Sequence, residues 1–179
     1  MSLPRELVRA ADGMLGQRFA AEVSALRVDR LVDGRRTIDP KSPLVVPGNG
    51  SAIEILLSVP EDALADFRLD VACSPTTDQR VSIVYDRARG QLVVDRAWAG
   101  DLAPVRADLN VDGTWLRLHV IVDGSVVELI ANETCAVTAR LYPADPGSTD
   151  VVIGGSKPIE IELTAWRLQN ENVNSGFGY

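Results

Sequence analysis

Histidine occurs once in these 179 residues and cysteine twice, and only nine side chains are aromatic: three Trp, three Tyr and three Phe. Each scarcity closes off a class of function. The single histidine, His119, together with Cys73 and Cys135 far apart and in no CxxC arrangement, leaves too few ligands for a structural zinc site. A disulfide between the two cysteines stays open. Basic residues are also short, 18 Lys and Arg against 25 Asp and Glu, and the net charge of -7 repels phosphate backbones and anionic membranes. Neither nucleic acid nor a membrane is an expected partner. No segment approaches the roughly 18 uncharged apolar residues of a membrane span, and the opening residues lack the apolar stretch of a signal peptide. Nucleotide and hydrolase signatures are missing as well: no GxxxxGK[ST], no GxGxxG between strand and helix, no GxSxG elbow. No cofactor and no metal is expected.

What is present is β-structure. Alternating or short apolar runs occur at 51–59, 67–73, 81–85, 91–95, 136–141 and 159–168, separated by turn clusters such as Arg89-Gly90, Asp123-Gly124 and Pro146-Gly147. Helical signals are confined to 20–27 and 60–66, neither long enough to cover a sheet. The chain has the length of one domain and can bury about two-thirds of its unfolded surface. The expected fold is an all-β antiparallel sandwich, two packed sheets of jelly-roll or lectin-like type, over residues 1–169, with 170–179 as a C-terminal tail.

His119 lies in the longest such pattern, Leu116-Arg-Leu-His-Val-Ile-Val-Asp-Gly-Ser-Val-Val-Glu128. Taking Asp123-Gly124 as a two-residue hairpin loop pairs Val122 with Ser125 and sets His119 opposite Glu128. Leu116, Leu118, Val120, Val122, Val127, Leu129 and Ala131 then form one apolar face, which is core. The other face, with Arg117, His119, Ile121, Val126, Glu128 and Ile130, is mixed. A His and Glu in register is the arrangement of a base and its orienter, but no nucleophile and no oxyanion turn accompanies it. The favoured reading is a structural cross-strand pair.

Two further patterns have simpler readings. Asp108-Leu-Asn-Val-Asp-Gly113 matches the start of a calcium loop, but its twelfth position is His119 and no helices flank it, which favours a strand-connecting turn. Glycoside hydrolysis needs two carboxylates about one bond, and composition nominates no such pair.

A family resemblance rests on Ser2-Leu-Pro-Arg-Glu-Leu7, Asp12-Gly-Met-Leu-Gly-Gln17, the 22–27 segment, the 116–128 hairpin, Thr138-Ala-Arg-Leu-Tyr-Pro143 and Ala165-Trp-Arg-Leu168. In this order they resemble the C-terminal β-sandwich module of glycoside hydrolase family 32, which includes invertases, levanases, inulinases and sucrose-6-phosphate hydrolases. The resemblance implies a partner, a catalytic five-bladed β-propeller with motifs of the type Trp-Met-Asn-Asp-Pro-Asn-Gly, Arg-Asp-Pro and Glu-Cys. None of the three occurs in these residues, so no catalytic residue is carried over. The implied role is a non-catalytic accessory module of a fructan- or sucrose-hydrolysing β-fructofuranosidase-type enzyme; an independent carbohydrate-binding, lectin-like module is the alternative.

Sugar sites favour aromatic faces, which are few here. Trp115 and Trp166 read as packing residues. Trp98, in Asp95-Arg-Ala-Trp-Ala-Gly100, sits in a loop where the family has small polar residues, and with Arg96 it is the candidate carbohydrate contact. A module that packs on a propeller also needs an uncovered apolar surface, which when separated favours homo-oligomers. Leu3, Leu7 and Leu15 near the expected junction, and Ile121 and Ile130 on the mixed hairpin face, are the interface candidates.

Overall fold

The computed structural model describes residues 3–10, 13–48, 52–64, 66–97, 102–111, 113–143, 145 and 147–169. The tail expected at 170–179 lies outside the described residues, as does Trp98. Fourteen strands run through the described chain: β1 (Arg5–Arg9), β2 (Leu15–Phe19), β3 (Arg27–Ile38), β4 (Leu44–Val46), β5 (Ala52–Pro60), β6 (Phe67–Cys73), β7 (Val81–Asp86), β8 (Gln91–Arg96), β9 (Leu102–Asp108), β10 (Trp115–Asp123), β11 (Val126–Ala131), β12 (Cys135–Arg140), β13 (Asp150–Gly155) and β14 (Ile159–Leu168). One six-stranded sheet has the order β12-β11-β10-β5-β14-β3, a second has β4-β13-β6-β7-β8-β9, and β1 and β2 form a separate hairpin. All pairings are antiparallel. The molecule is an all-β sandwich. The two segments with helical signals form short 3-10 turns, Ala21–Leu26 and Glu61–Ala63, because neither has a capping side chain and the longer one buries only Val23.

The two six-stranded sheets face each other across one core. Ile55, Leu116, Val120, Leu129 and Ala165 of the first sheet and Leu69, Ile83, Val94 and Ile153 of the second are fully buried within it. Several strands carry little of the alternation that identifies a half-buried strand. β3 pairs only with β14, at the edge of its sheet, and most of its twelve residues are exposed or half-buried, including the run Arg27-Val-Asp-Arg30. β9 is also an edge strand and contains Pro104, which a central strand would not tolerate. Cys73 and Cys135 are buried free thiols, and burial, followed by the nearby Asp70 charge, pushes the Cys73 thiol up to about 12.

The β10–β11 hairpin keeps the expected faces but not the expected register. Asp123 pairs with Val126, so the two-residue loop is Gly124-Ser125, with Gly124 at φ +52°. His119 therefore lies opposite Ile130, and Glu128 opposite Ile121. Asp-Gly placed in the loop would need positive φ at both residues, whereas Gly124 followed by Ser125 needs it only at the glycine. The displacement moves each partner by two residues along β11, which leaves every side chain on its original side of the sheet. The expected His119–Glu128 pair is thereby replaced by two separate arrangements.

Ile121 and Ile130, expected to be uncovered, are buried. With Phe19, Val23, Ala52 and Leu168 they form a second, smaller apolar cluster on the outer face of the first sheet, roofed by β2 and the turn Ala21–Leu26, with Leu3 packed against it. The hairpin is seated closely: Gln17 donates its backbone N–H to the Glu133 carbonyl at 2.7 Å, and a Cβ at Gly16 would lie 2.7 Å from that same oxygen. Gly16→Ala is expected to lift β2 off the sheet at a cost of about 1–3 kcal/mol. Chemical denaturation would show it, and unchanged stability would mean that the hairpin does not depend on this approach.

Candidate functional site: a charged floor and a groove on the outer face

The outer face of the first sheet carries the one histidine, and the register explains its company. Ile121 lies opposite Glu54 on β5, and Glu54 opposite Trp166 on β14, so Glu54 is the diagonal neighbour of His119 on the same face. Glu54 is 1% exposed, between Ile53 and Ile55 in a strand with no other charged residue. Such a carboxylate must be fully partnered. The Arg27 guanidinium grips it bidentately, Nε to Oε2 at 2.7 Å and Nη2 to Oε1 at 2.9 Å, and His119 Nε2 approaches Oε1 at 2.7 Å.

Burial pushes the Glu54 carboxyl upward and is the largest single influence, but the hydrogen bonds from Arg27 and His119, with their charges, together outweigh it and hold the group at about 2. An ionised carboxylate can only accept, so the proton in the His119 contact sits on Nε2. Arg27 is in turn stacked over the Trp166 ring at 3.8 Å from its centroid, and Phe19 packs edge-on to His119 at 4.7 Å. His119 is a cross-sheet strut between the charged floor and the hairpin.

Glu128 performs the corresponding task one strand away. It is 3% exposed, accepts from Arg5 Nη2 at 2.7 Å and from the Leu3 backbone N–H at 2.9 Å, and thereby fastens the N-terminal hairpin to β11. Arg5 also donates to Gln17 Oε1 and Thr138 Oγ1. Leu3 packs against the smaller cluster, while Leu7 and Leu15, at 74% and 73% exposure, stand out from the hairpin as diagonal neighbours, with Met14 at its tip 67% exposed.

Between the hairpin and the end of β10 lies a groove of about 750 Å³. Its walls include Arg18 and Phe19 from β2, Trp115, Arg117 and His119 from β10, and Asn132 and Glu133 from the β11–β12 loop. Two of these, Asn132 at φ +48° and Glu133 at φ +60°, hold left-handed backbone conformations that non-glycine residues rarely adopt. The Asn132 side chain accepts the Arg117 N–H at 2.8 Å, which fixes the loop against β10. Arg96 lies elsewhere, its guanidinium bonded to the carbonyls of Ala103 and Arg140. The 108–113 segment joins β9 to β10, with Leu109 and Val111 buried and Asp108 accepting from Gln91.

The residues 22–167 match the family described as glycosyl hydrolases family 32 C terminal. The chain belongs to that family. Solved structures similar to this family 32 C-terminal module include an exo-inulinase from Aspergillus awamori, with a TM-score of 0.80 at 18% identity, covering 94% of this chain and 36% of that one. Fructan 1-exohydrolase IIa from Cichorium intybus gives 0.76 at 16%, covering 94% and 41%. A β-fructofuranosidase of Bombyx mori gives 0.68 at 20%, covering 94% and 33%. At these identities the likeness establishes the sandwich fold. The module spans about a third of the length of these enzymes. Comparison with curated proteins by sequence gives no match.

Sequence reasoning passed over Glu54, Arg27 and Phe19. A signal existed for the first: a lone carboxylate within Ala52-Ile-Glu-Ile-Leu56 has to find a cation. No pattern in the chain identifies that cation as Arg27, 27 residues away, because the pairing passes through β14.

Proposed function

We propose that this module is a non-catalytic accessory domain of a fructan- or sucrose-hydrolysing enzyme, and that it seats the enzyme's catalytic five-bladed β-propeller on its N-terminal hairpin. One observation carries the reading. The hairpin is pinned to the sandwich through Glu128, Arg5 and Phe19, yet toward its tip it presents Leu7, Met14 and Leu15 to solvent. Large apolar side chains held out together on a fixed element mark a contact surface. The family is the C-terminal part of its enzymes, so in such an enzyme the preceding domain arrives at this hairpin. The groove walls offer one carboxylate among the described residues, Glu133, whereas glycoside hydrolysis commonly uses two.

The test is association of the 179-residue chain with a separately produced family 32 propeller, followed by calorimetry or sedimentation. Leu7→Asp and Leu15→Asp are each expected to weaken the complex about tenfold or more, as for hot-spot contacts of about 1.4 kcal/mol. Binding unaffected by both substitutions would remove the hairpin from the interface, and absence of any association would remove the accessory reading itself.

A further inference from the structure

We propose that the groove between the N-terminal hairpin and the end of β10 is a binding site for a short neutral oligosaccharide. The proposal goes beyond the accessory reading and does not depend on it. Its volume, about 750 Å³, falls within the roughly 300–1,000 Å³ of small-molecule sites.

Charge selects the ligand class. Three cationic or chargeable groups reach the groove besides Glu133: Arg18 is paired with Glu6 at 3.0 Å, His119 with Glu54 at 2.7 Å, and the Arg117 guanidinium has no ion pair among the described residues. The two charges left over, Arg117 and Glu133, have opposite signs. Such a groove has no preference for an anion or a cation.

Hydrogen-bonding capacity narrows it further. The side chains of Asn110, Thr114, Arg117 and Thr134 line the groove without hydrogen-bond partners among the described residues. Amides and hydroxyls both donate and accept, as a sugar hydroxyl does. Trp115 is half-buried, and with Phe19 and Ile130 it supplies apolar surface for the CH faces between those hydroxyls. The left-handed loop residues Asn132 and Glu133 form one wall, held by Arg117 from β10 and Gln17 from β2. Loop, hairpin and strand are therefore fixed relative to one another before any ligand arrives, which lowers the ordering cost of binding.

The test titrates the intact 179-residue chain with sucrose, 1-kestose, maltotriose and a trigalacturonate, reading tryptophan fluorescence and amide NMR shifts. At least one neutral sugar is expected to bind in the millimolar range or tighter and to perturb residues 110–119 and 132–134. Trp115→Ala and Arg117→Gln are each expected to weaken it at least fivefold. Arg117 is exposed, so its variant folds even if the Trp115 variant does not. No neutral sugar binding, binding indifferent to both substitutions, or tighter binding of the trigalacturonate would each overturn the proposal. Leu7→Asp, which tests propeller docking, is expected to leave sugar affinity unchanged, so that either reading can fail without the other.

Discussion

Glu54→Gln is expected to cost about 3 kcal/mol of folding free energy at neutral pH, although it changes one oxygen to one nitrogen. The wild-type carboxyl titrates at about 2 in the folded protein against an ordinary value of 4.5, and each unit of displacement corresponds to about 1.4 kcal/mol. Removing one member of a buried, hydrogen-bonded pair gives an expectation of about 3–5 kcal/mol by an independent route. The sign of the pH dependence follows from the depressed value. Glu54 stabilises the fold fully above about pH 4.5, and that contribution is lost as pH falls toward 2. Denaturation of wild type and variant across this window measures the difference, which should shrink toward the acid end. A constant difference would mean that Arg27 and His119 do not act on the ionised form.

The second large effect concerns a different carboxylate and a different kind of unfolding. Glu128→Ala is expected to cost about 3 kcal/mol or more, because Arg5 and the Leu3 N–H lose their buried acceptor together. The loss should fall on the hairpin and not on the sandwich. Val127 and Leu129, on either side of Glu128, stay packed in the main core whether or not the hairpin is seated. Hydrogen exchange is expected to accelerate over residues 5–19 while β5 and β10 keep their protection. Exposure of Phe19, Ile121 and Ile130 should also raise binding of an apolar dye. Retained hairpin protection would show that the apolar cluster suffices to hold it. Since Leu7 and Leu15 ride on the same hairpin, propeller association should weaken in parallel.

These two carboxylates also show what could and could not be read from the chain. Alternation assigned Leu116, Leu118, Val120, Val122, Val127, Leu129 and Ala131 to the inner face, and all seven are buried in the main core. That assignment is a local matter, because side chains alternate from one residue to the next whatever the strand pairs with. It survived a displaced register for the same reason. The β-sandwich and the family likewise rest on patterns carried by contiguous residues, the short apolar strands, the turns between them, and the segments from Leu3 to Leu168 that recur in order.

Tertiary structure alone decided the rest. His119 and Glu128 carry the same sequence signal, polar residues on a mixed face, yet one is tied to Glu54 and the other to Arg5. Ile121 and Ile130 looked uncovered because the element that covers them lies about a hundred residues earlier, whereas Leu7 and Leu15, equally apolar, remain exposed on that covering element. Burial of an outer face depends on which distant segment folds over it, and a charged partner depends on which strands are neighbours. β3 to β14 to β5 is such a path, and it places Arg27 beside Glu54 through a strand that begins at residue 159. Local periodicity fixes the direction of a side chain; only the assembled sheets and the returning hairpin fix what it meets there.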